Sequence, residues 1–155
     1  MHQTNALVLH HMRDRGVEPD FRVLGEEVRT AQLAAAALGC EVGAIANSLC
    51  FLADDEPILV MTSGAHRVDT DHLASVIGAT RIDKAPAARV RAATGQVIGG
   101  VAPTGHPTPL RTFVDTDLAV YQRIWAAAGT PASIMSMTYD ELLRVTDGTP
   151  VQVTP

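Results

Sequence analysis

The residues best suited to chemistry lie in one stretch, Thr94-Gly95-Gln96-Val97-Ile98-Gly99-Gly100-Val101-Ala102-Pro103-Thr104-Gly105-His106-Pro107. Gly99 and Gly100 leave room for another molecule to approach the backbone, and Pro103 stiffens the chain behind them. Backbone N–H groups in such a loop can point at an anionic oxygen, or at one that gains charge during a reaction. Gly105 precedes His106, whose imidazole titrates near neutrality and suits general-base work. A plain structural reading fits the same residues: a tight turn between two strands, with a surface histidine ahead of Pro107. Val97-Ile98, which leads in, reads as a short buried strand or strand end.

Other chemistries find less support. Six histidines invite a metal, but His10 and His11 are adjacent and diverge on a helix, and His2 is terminal. No HExxH or CxxC motif occurs, so neither a metal nor another cofactor is expected. Ser48 and Cys50 lack an acidic or basic partner nearby in sequence, and no GxSxG elbow, Walker loop or GxGxxG is present. Cys40 and Cys50 read as buried, reduced thiols.

The Gly99-x-x-x-Pro103 segment, with Thr94-Gly95 before it and Gly105 after it, resembles the signature loop of the YbaK/EbsC/ProX family of aminoacyl-tRNA deacylases. That family includes the editing domain inserted in bacterial prolyl-tRNA synthetases. The likeness continues through Arg29-Thr30-Ala31, which opens an alanine-rich helix closing at Gly39, and through Ile45-Ala46-Asn47-Ser48-Leu49. Thr62-Ser63-Gly64-Ala65-His66-Arg67-Val68-Asp69 and Val114-Asp115 extend it, so that it spans residues 20 to 147. One departure stands out. The better-known deacylases carry a lysine where this chain has Asn47, and the one lysine here, Lys84, lies outside that motif. A lysine anchors a phosphate or carboxylate with full charge, whereas asparagine offers hydrogen bonds only.

The resemblance implies an aminoacyl ester on the terminal adenosine of tRNA as substrate, and hydrolysis as the reaction. Gly99 and Gly100 would hold the ester carbonyl through their N–H groups, and Asn47 would orient the amino-acid or ribose end. Water would attack, assisted by the neighbouring ribose hydroxyl. Thr30, Ser63, Gly64, His66, Arg67, Pro103, Gly105 and His106 are the expected substrate-binding residues. Arg67 would meet a phosphate or pair with Asp69 or Asp71. The implied partners are the acceptor end of aminoacyl-tRNA and an aminoacyl-tRNA synthetase. Two rivals stay open: a non-catalytic amino-acid or nucleotide-binding module (or synthetase partner) on the same fold, and a purely structural interaction protein. The amino acid removed and the oligomeric state are not legible from the chain.

The elements that must position these residues follow from composition and pattern. At 155 residues, 46% hydrophobic and only 4% aromatic, the chain reads as one domain with an aliphatic core. The formal net charge of −5 argues against broad nucleic-acid binding but leaves recognition of a single nucleotide end open. Arg81, Lys84, Arg89 and Arg91 cluster, either as a solvated face or as an acceptor-stem contact. No stretch approaches a membrane span and no signal-peptide plan is seen, so a soluble, cytoplasmic protein is expected.

Thr4 caps a helix to about Arg15, and Asp20–Leu24 is extended. Thr30 caps a helix over Ala31–Leu38. Strands at Ala44–Leu52 and Ile58–Thr62 form a hairpin through Asp54-Asp55-Glu56-Pro57. Asp69 caps a helix that Gly78 ends, a strand covers Thr80–Ile82, and Pro86 begins another helix. Thr112–Val114 is a strand, and Asp115 caps a short helix. Ile124–Ala128 and Ser133–Met137 form a second hairpin, and Thr138 with Glu141 makes a capping box for the last helix. The expected class is α+β: a curved mixed sheet or partial barrel flanked by helices.

Overall fold

The structure, a computed structural model, describes residues 2–155. In chain order the elements are α1 (Gln3–Asp14), β1 (Asp20–Val23), α2 (Ala31–Leu38), β2 (Ile45–Ala53), β3 (Glu56–Ser63), α3 (Thr70–Ile77) and β4 (Ile82–Lys84). They continue as α4 (Ala87–Thr94), β5 (Arg111–Asp115), β6 (Ile124–Ala127), β7 (Ser133–Met137), α5 (Tyr139–Thr146) and β8 (Thr149–Val151). The helix ends obey local chemistry. The Thr30 hydroxyl accepts from Leu33 N–H, the Asp69 carboxylate accepts from His72 N–H, and Thr138 and Glu141 close a reciprocal capping box. Gly39, Gly78 and Gly95 take the left-handed conformation that ends α2, α3 and α4.

Several expectations shift in detail. His2, not Thr4, caps α1 by accepting from Thr4 N–H. The first hairpin turns on two residues, Asp54 and Asp55, both at positive φ (49° and 72°), so strand pairing resumes at Glu56. The Asp54 carboxylate accepts from Thr80 and Arg81 N–H, which moves the following strand to Ile82–Lys84. Val97-Ile98 is not a strand: Gly100 N–H donates to Val97 O, closing a turn that leaves Ile98 53% exposed. β8 had no sequence expectation, because three residues holding Pro150 carry no alternation to detect.

The sheet is open and mixed, eight-stranded, in the order β1-β7-β6-β2-β3-β5-β8, with β4 paired to β2 beside that path. Helices flank it, giving the α+β architecture expected. Ile58, Leu59, Val60 and Met61 of β3 are all fully buried, so the sheet centre is covered on both faces. Leu59 and Met61 pack with Val8 and Met12 of α1, Val90 of α4 and Leu142 of α5. Ile58 and Val60 pack on the other face with Leu73 of α3. Among the described residues, no helix is long and apolar enough to cross a membrane.

One edge of β2 decides where a site can form. Along its whole length β2 pairs with β3, from Ala46↔Ser63 to Ala53↔Glu56. On its other edge it pairs with β6 only at Ile45 and Ala46, and with β4 only at Phe51, Leu52 and Ala53. Among the described residues, 47–50 therefore have no ladder partner on that side.

Candidate active site

Backbone polar groups and side chains at an interruption in a sheet ladder are free to meet something other than a strand. Here Asn47 and Ser48 line a cleft of about 420 Å³, counting its open mouth, together with Gly99 and Val101 of the glycine loop. Its remaining wall is Val28, Arg29, Thr30, Ala31 and Ala34 from the start of α2, with Ile45, Ala127, Ser133 and Ile134 from the sheet. Asn47 is half-buried, and among the described residues its side-chain amide has no hydrogen-bond partner. The Ser48 hydroxyl donates to the Met61 thioether at 3.2 Å. The Thr30 hydroxyl oxygen caps α2, and its proton is left to donate.

The glycine loop is held by Arg29. Its guanidinium donates to Ile98 O at 3.0 Å, while its Nε donates to Glu27 at 2.6 Å. Gly99 sits at φ +88°, and its Cα lies against the Arg29 stem: a Cβ there would stand 3.0 Å from Arg29 Cγ. That φ, with the Gly100 N–H to Val97 O bond, is the signature of a turn that needs glycine at its third position. In a trans peptide the carbonyl and the N–H point in opposite directions. Arg29 fixes the Ile98 carbonyl and so fixes the Gly99 N–H, which among the described residues has no acceptor. Gly100 differs. Its N–H is engaged within the turn, and its Cα abuts the Thr130–Pro131 backbone, so it shapes the loop rather than offering a donor.

Of the expected site residues, the structure brings together Thr30, Asn47 and Gly99, with Gly100 immediately behind. It does not bring in Ser63, Gly64, His66 and Arg67. The Ser63 hydroxyl donates to Gly43 O. A Cβ on Gly64 would meet Val42 O at 2.5 Å and Ala31 Cβ at 2.7 Å, so this glycine serves packing against α2. His66 instead faces Asp115, which is buried at 1% exposure and accepts from His66 Nε2 at 2.6 Å and Ser63 N–H at 2.9 Å. The other ring nitrogen lies 3.6 Å from Asp117. Among the described residues, His66, Asp115 and Asp117 are the group whose ligand atoms converge, within 4.8 Å, as a metal would require. Both imidazole nitrogens already face carboxylates there, so the group forms a hydrogen-bonded brace on the segment after β5. Among the described residues Arg67 forms no ion pair, with Asp69, Asp71 or any other acid.

Pro103, Gly105 and His106 also lie away from the cleft. Pro103 and His106 border a separate hollow with His11, Asp14 and Arg15 of the α1 end. Gly105, at φ +88°, packs against Val8 of α1. His106 Nε2 bonds Ala102 O at 2.9 Å, and burial holds its imidazole below the usual histidine range. The Gln96 side chain accepts from Ala102 N–H at 2.7 Å, so these two residues fix the loop from behind. Burial pushes the Cys50 thiol up, which keeps it protonated and a poor nucleophile.

Arg29 and Ser133 were the residues that sequence reasoning left without a role. Arg29 stands in the quoted Arg29-Thr30-Ala31 run, but its contact to Ile98 spans 69 residues and no local pattern encodes it. Ser133 enters from β7, where its hydroxyl accepts from the Asn5 amide at 2.8 Å and donates to Thr130 O at 3.1 Å.

Comparison with known proteins places the fold. A solved structure described as a candidate trans-editing enzyme for prolyl tRNA synthetase superposes with a TM-score of 0.93 and 35% identity, covering 100% of this chain and 99% of that one. The protein YwhH of Bacillus subtilis (strain 168), itself uncharacterised, is 30% identical over 133 residues, 85% of this chain and 84% of its own length. A proline–tRNA ligase of Nitratidesulfovibrio vulgaris (strain DP4) is 30% identical over 89 residues, 57% of this chain but only 16% of the ligase. The family model for the aminoacyl-tRNA editing domain matches residues 25–145, and the chain belongs to that family.

Proposed function

We propose that this protein is an aminoacyl-tRNA deacylase that hydrolyses the ester of mischarged tRNA at the cleft beside Asn47. The observation that carries the reading is the Gly99 N–H, which has no acceptor among the described residues, on a peptide pinned by Arg29 at the mouth of a cleft. A preorganised N–H of this kind stabilises the oxygen of an ester carbonyl as water adds to it. Asn47 orients the ester by donating or accepting a hydrogen bond. Among the described residues that line the cleft, Arg29 is the only ionisable one, so none of their side chains can act as a base near neutrality. The proton of the attacking water is therefore relayed through the substrate's own neighbouring ribose hydroxyl, which passes its own proton to the departing ribose oxygen as the C–O bond of the ester breaks, or it is exchanged with solvent, which protonates that oxygen. Val28, Ala31, Ala34, Ile45 and Ile134 make an apolar wall suited to a small aliphatic aminoacyl side chain.

The absence of a base from the lining residues is also what a binding module would show, with the same cleft holding an aminoacyl end and no turnover. Release of labelled amino acid from a panel of charged and mischarged tRNAs separates the two. tRNA for proline carrying small, wrong amino acids comes first, given the likeness to a proline–tRNA ligase. A deacylase releases amino acid from at least one member with multiple turnover. Binding without release from any member would replace hydrolysis by the sensor reading.

A further inference from the structure

A second hollow lies beside the cleft along the same gap in the sheet. Ser48 and Val101 border both. The second hollow, about 470 Å³ counting its open mouth, is floored by Leu49, Cys50 and Phe51 and walled by Ala85, Val90 and Ile98. Its lining is almost wholly apolar, with one cation at its rim, Lys84. The structure also divides the basic cluster of this region. Arg81 pairs with Asp83 at 2.6 Å and Arg89 with Asp55 at 3.1 Å, and Arg91 faces a different hollow with Gly95 and Val97. Lys84 is exposed and, among the described residues, forms no ion pair.

Resting on the deacylase reading, we propose that this hollow seats the terminal nucleoside of the tRNA 3′ end, with Lys84 on its phosphate. Geometry, charge and chemistry agree. A substrate whose ester lies at Gly99 and Asn47 must carry its ribose and base out of the cleft, and Ser48 and Val101 mark the boundary that both hollows share. A purine has large apolar faces, which match the apolar floor and the side chain of Ile98, 53% exposed at the rim. Its phosphate needs a cation, and the one in the cleft, Arg29, is already paired with Glu27. Lys84 supplies that charge. Few polar side chains face the hollow, so the seat reads shape and charge rather than base identity. That suits an acceptor end common to all tRNAs.

The test uses the intact protein and an uncharged RNA hairpin ending in a single-stranded CCA 3′ end, with affinity measured by fluorescence anisotropy over a series of salt concentrations. Lys84→Glu is expected to weaken binding about fivefold or more at low salt and to reduce the salt slope by about 0.7, one single-strand phosphate contact. Arg91→Glu makes the same charge change on the other side of the loop and is expected to bind as wild type. With a hydrolysed charged tRNA, Lys84→Glu raises KM and leaves kcat unchanged. Equal affinities for Lys84→Glu and wild type, or equal losses in the two variants, would overturn the seat. If no charged tRNA is hydrolysed but hairpin binding still depends on Lys84, the hydrolysis reading falls and the seat stands.

Discussion

Replacing Gly100 by alanine tests how the loop is built. Gly100 is not at positive φ, so alanine is compatible with its backbone conformation. Room is the constraint. A Cβ there would stand 2.7 Å from the Thr130 carbonyl carbon and 2.8 Å from Thr130 Cα and Pro131 N. All three are backbone atoms and cannot rotate away. They are also anchored, since Val28 N–H donates to Pro131 O and Thr130 Oγ1 lies 2.8 Å from Ser133 Oγ. Ordinary contact begins at 3.4 Å, so the loop must retreat by about 0.7 Å from the Thr130 carbonyl carbon, the nearest of the three. Overpacking of this kind costs about 1–3 kcal/mol. For a chain of this size that lowers Tm by about 2–12 °C, at roughly 2–4 °C per kcal/mol. The retreat carries Gly99 with it. Losing an oxyanion donor outright costs about 10²–10³ in rate, and a displaced one should cost about 10–100-fold in kcat/KM. Urea or thermal unfolding measures the first effect and release of amino acid from charged tRNA the second. Wild-type stability would refute the packing argument. Lowered stability with an unchanged rate would remove the Gly99 N–H from the reaction.

Three further outcomes are expected. Asn47→Ala should lower kcat/KM by the equivalent of about 1–3 kcal/mol with little change in Tm, as the amide has no partner among the described residues. Asn47→Lys should lower activity too, because no carboxylate lines the cleft to face the new charge, and a gain would mean that the substrate supplies that counter-charge. Arg29→Met keeps an aliphatic stem over Gly99 but loses the donor to Ile98 O. A fall in kcat of about fivefold, near 1 kcal/mol, with KM unchanged is expected, and an unchanged kcat would show that the turn holds its own peptide plane. His106 has its imidazole pKa lowered by burial from 6.5, so below pH 6.5 the unfolded chain binds a proton that the folded one refuses. Stability should therefore fall as pH drops below 6.5 and be unaffected by this group above it. His106→Gln should flatten that part of the profile in unfolding experiments run from neutral to mildly acidic pH.

Local chemistry made most of the fold legible. Thr30, Asp69 and the Thr138–Glu141 pair announce their helices, and the apolar run Ile58–Met61 announces a central strand. The candidate cleft was legible only at Thr30, Asn47 and Gly99. Motif proximity misled for His66, which follows Ser63-Gly64, and for His106, which follows the glycine loop; the chain turns both away from the cleft. His66 leaves β3 and meets the buried Asp115, and His106 folds back on Ala102 behind the loop. The Arg29 clasp and the partition of the arginine cluster depend on which strands flank β2. That pairing joins residues dozens of positions apart, and no local pattern carries it.

The interruption beside β2 also bears on how such a site can change over generations. Residues 47–50 are held along one edge by β3, and the strand is clamped beyond them by β6 and β4. Their backbone course is thus set by neighbours, while the side chains of Asn47 and Ser48 face the cleft. An exchange of lysine for asparagine at position 47 would then alter charge and hydrogen bonding without asking the sheet to re-register. Chemistry and architecture are insulated from one another there, so the same scaffold can be retuned to new ligands one residue at a time.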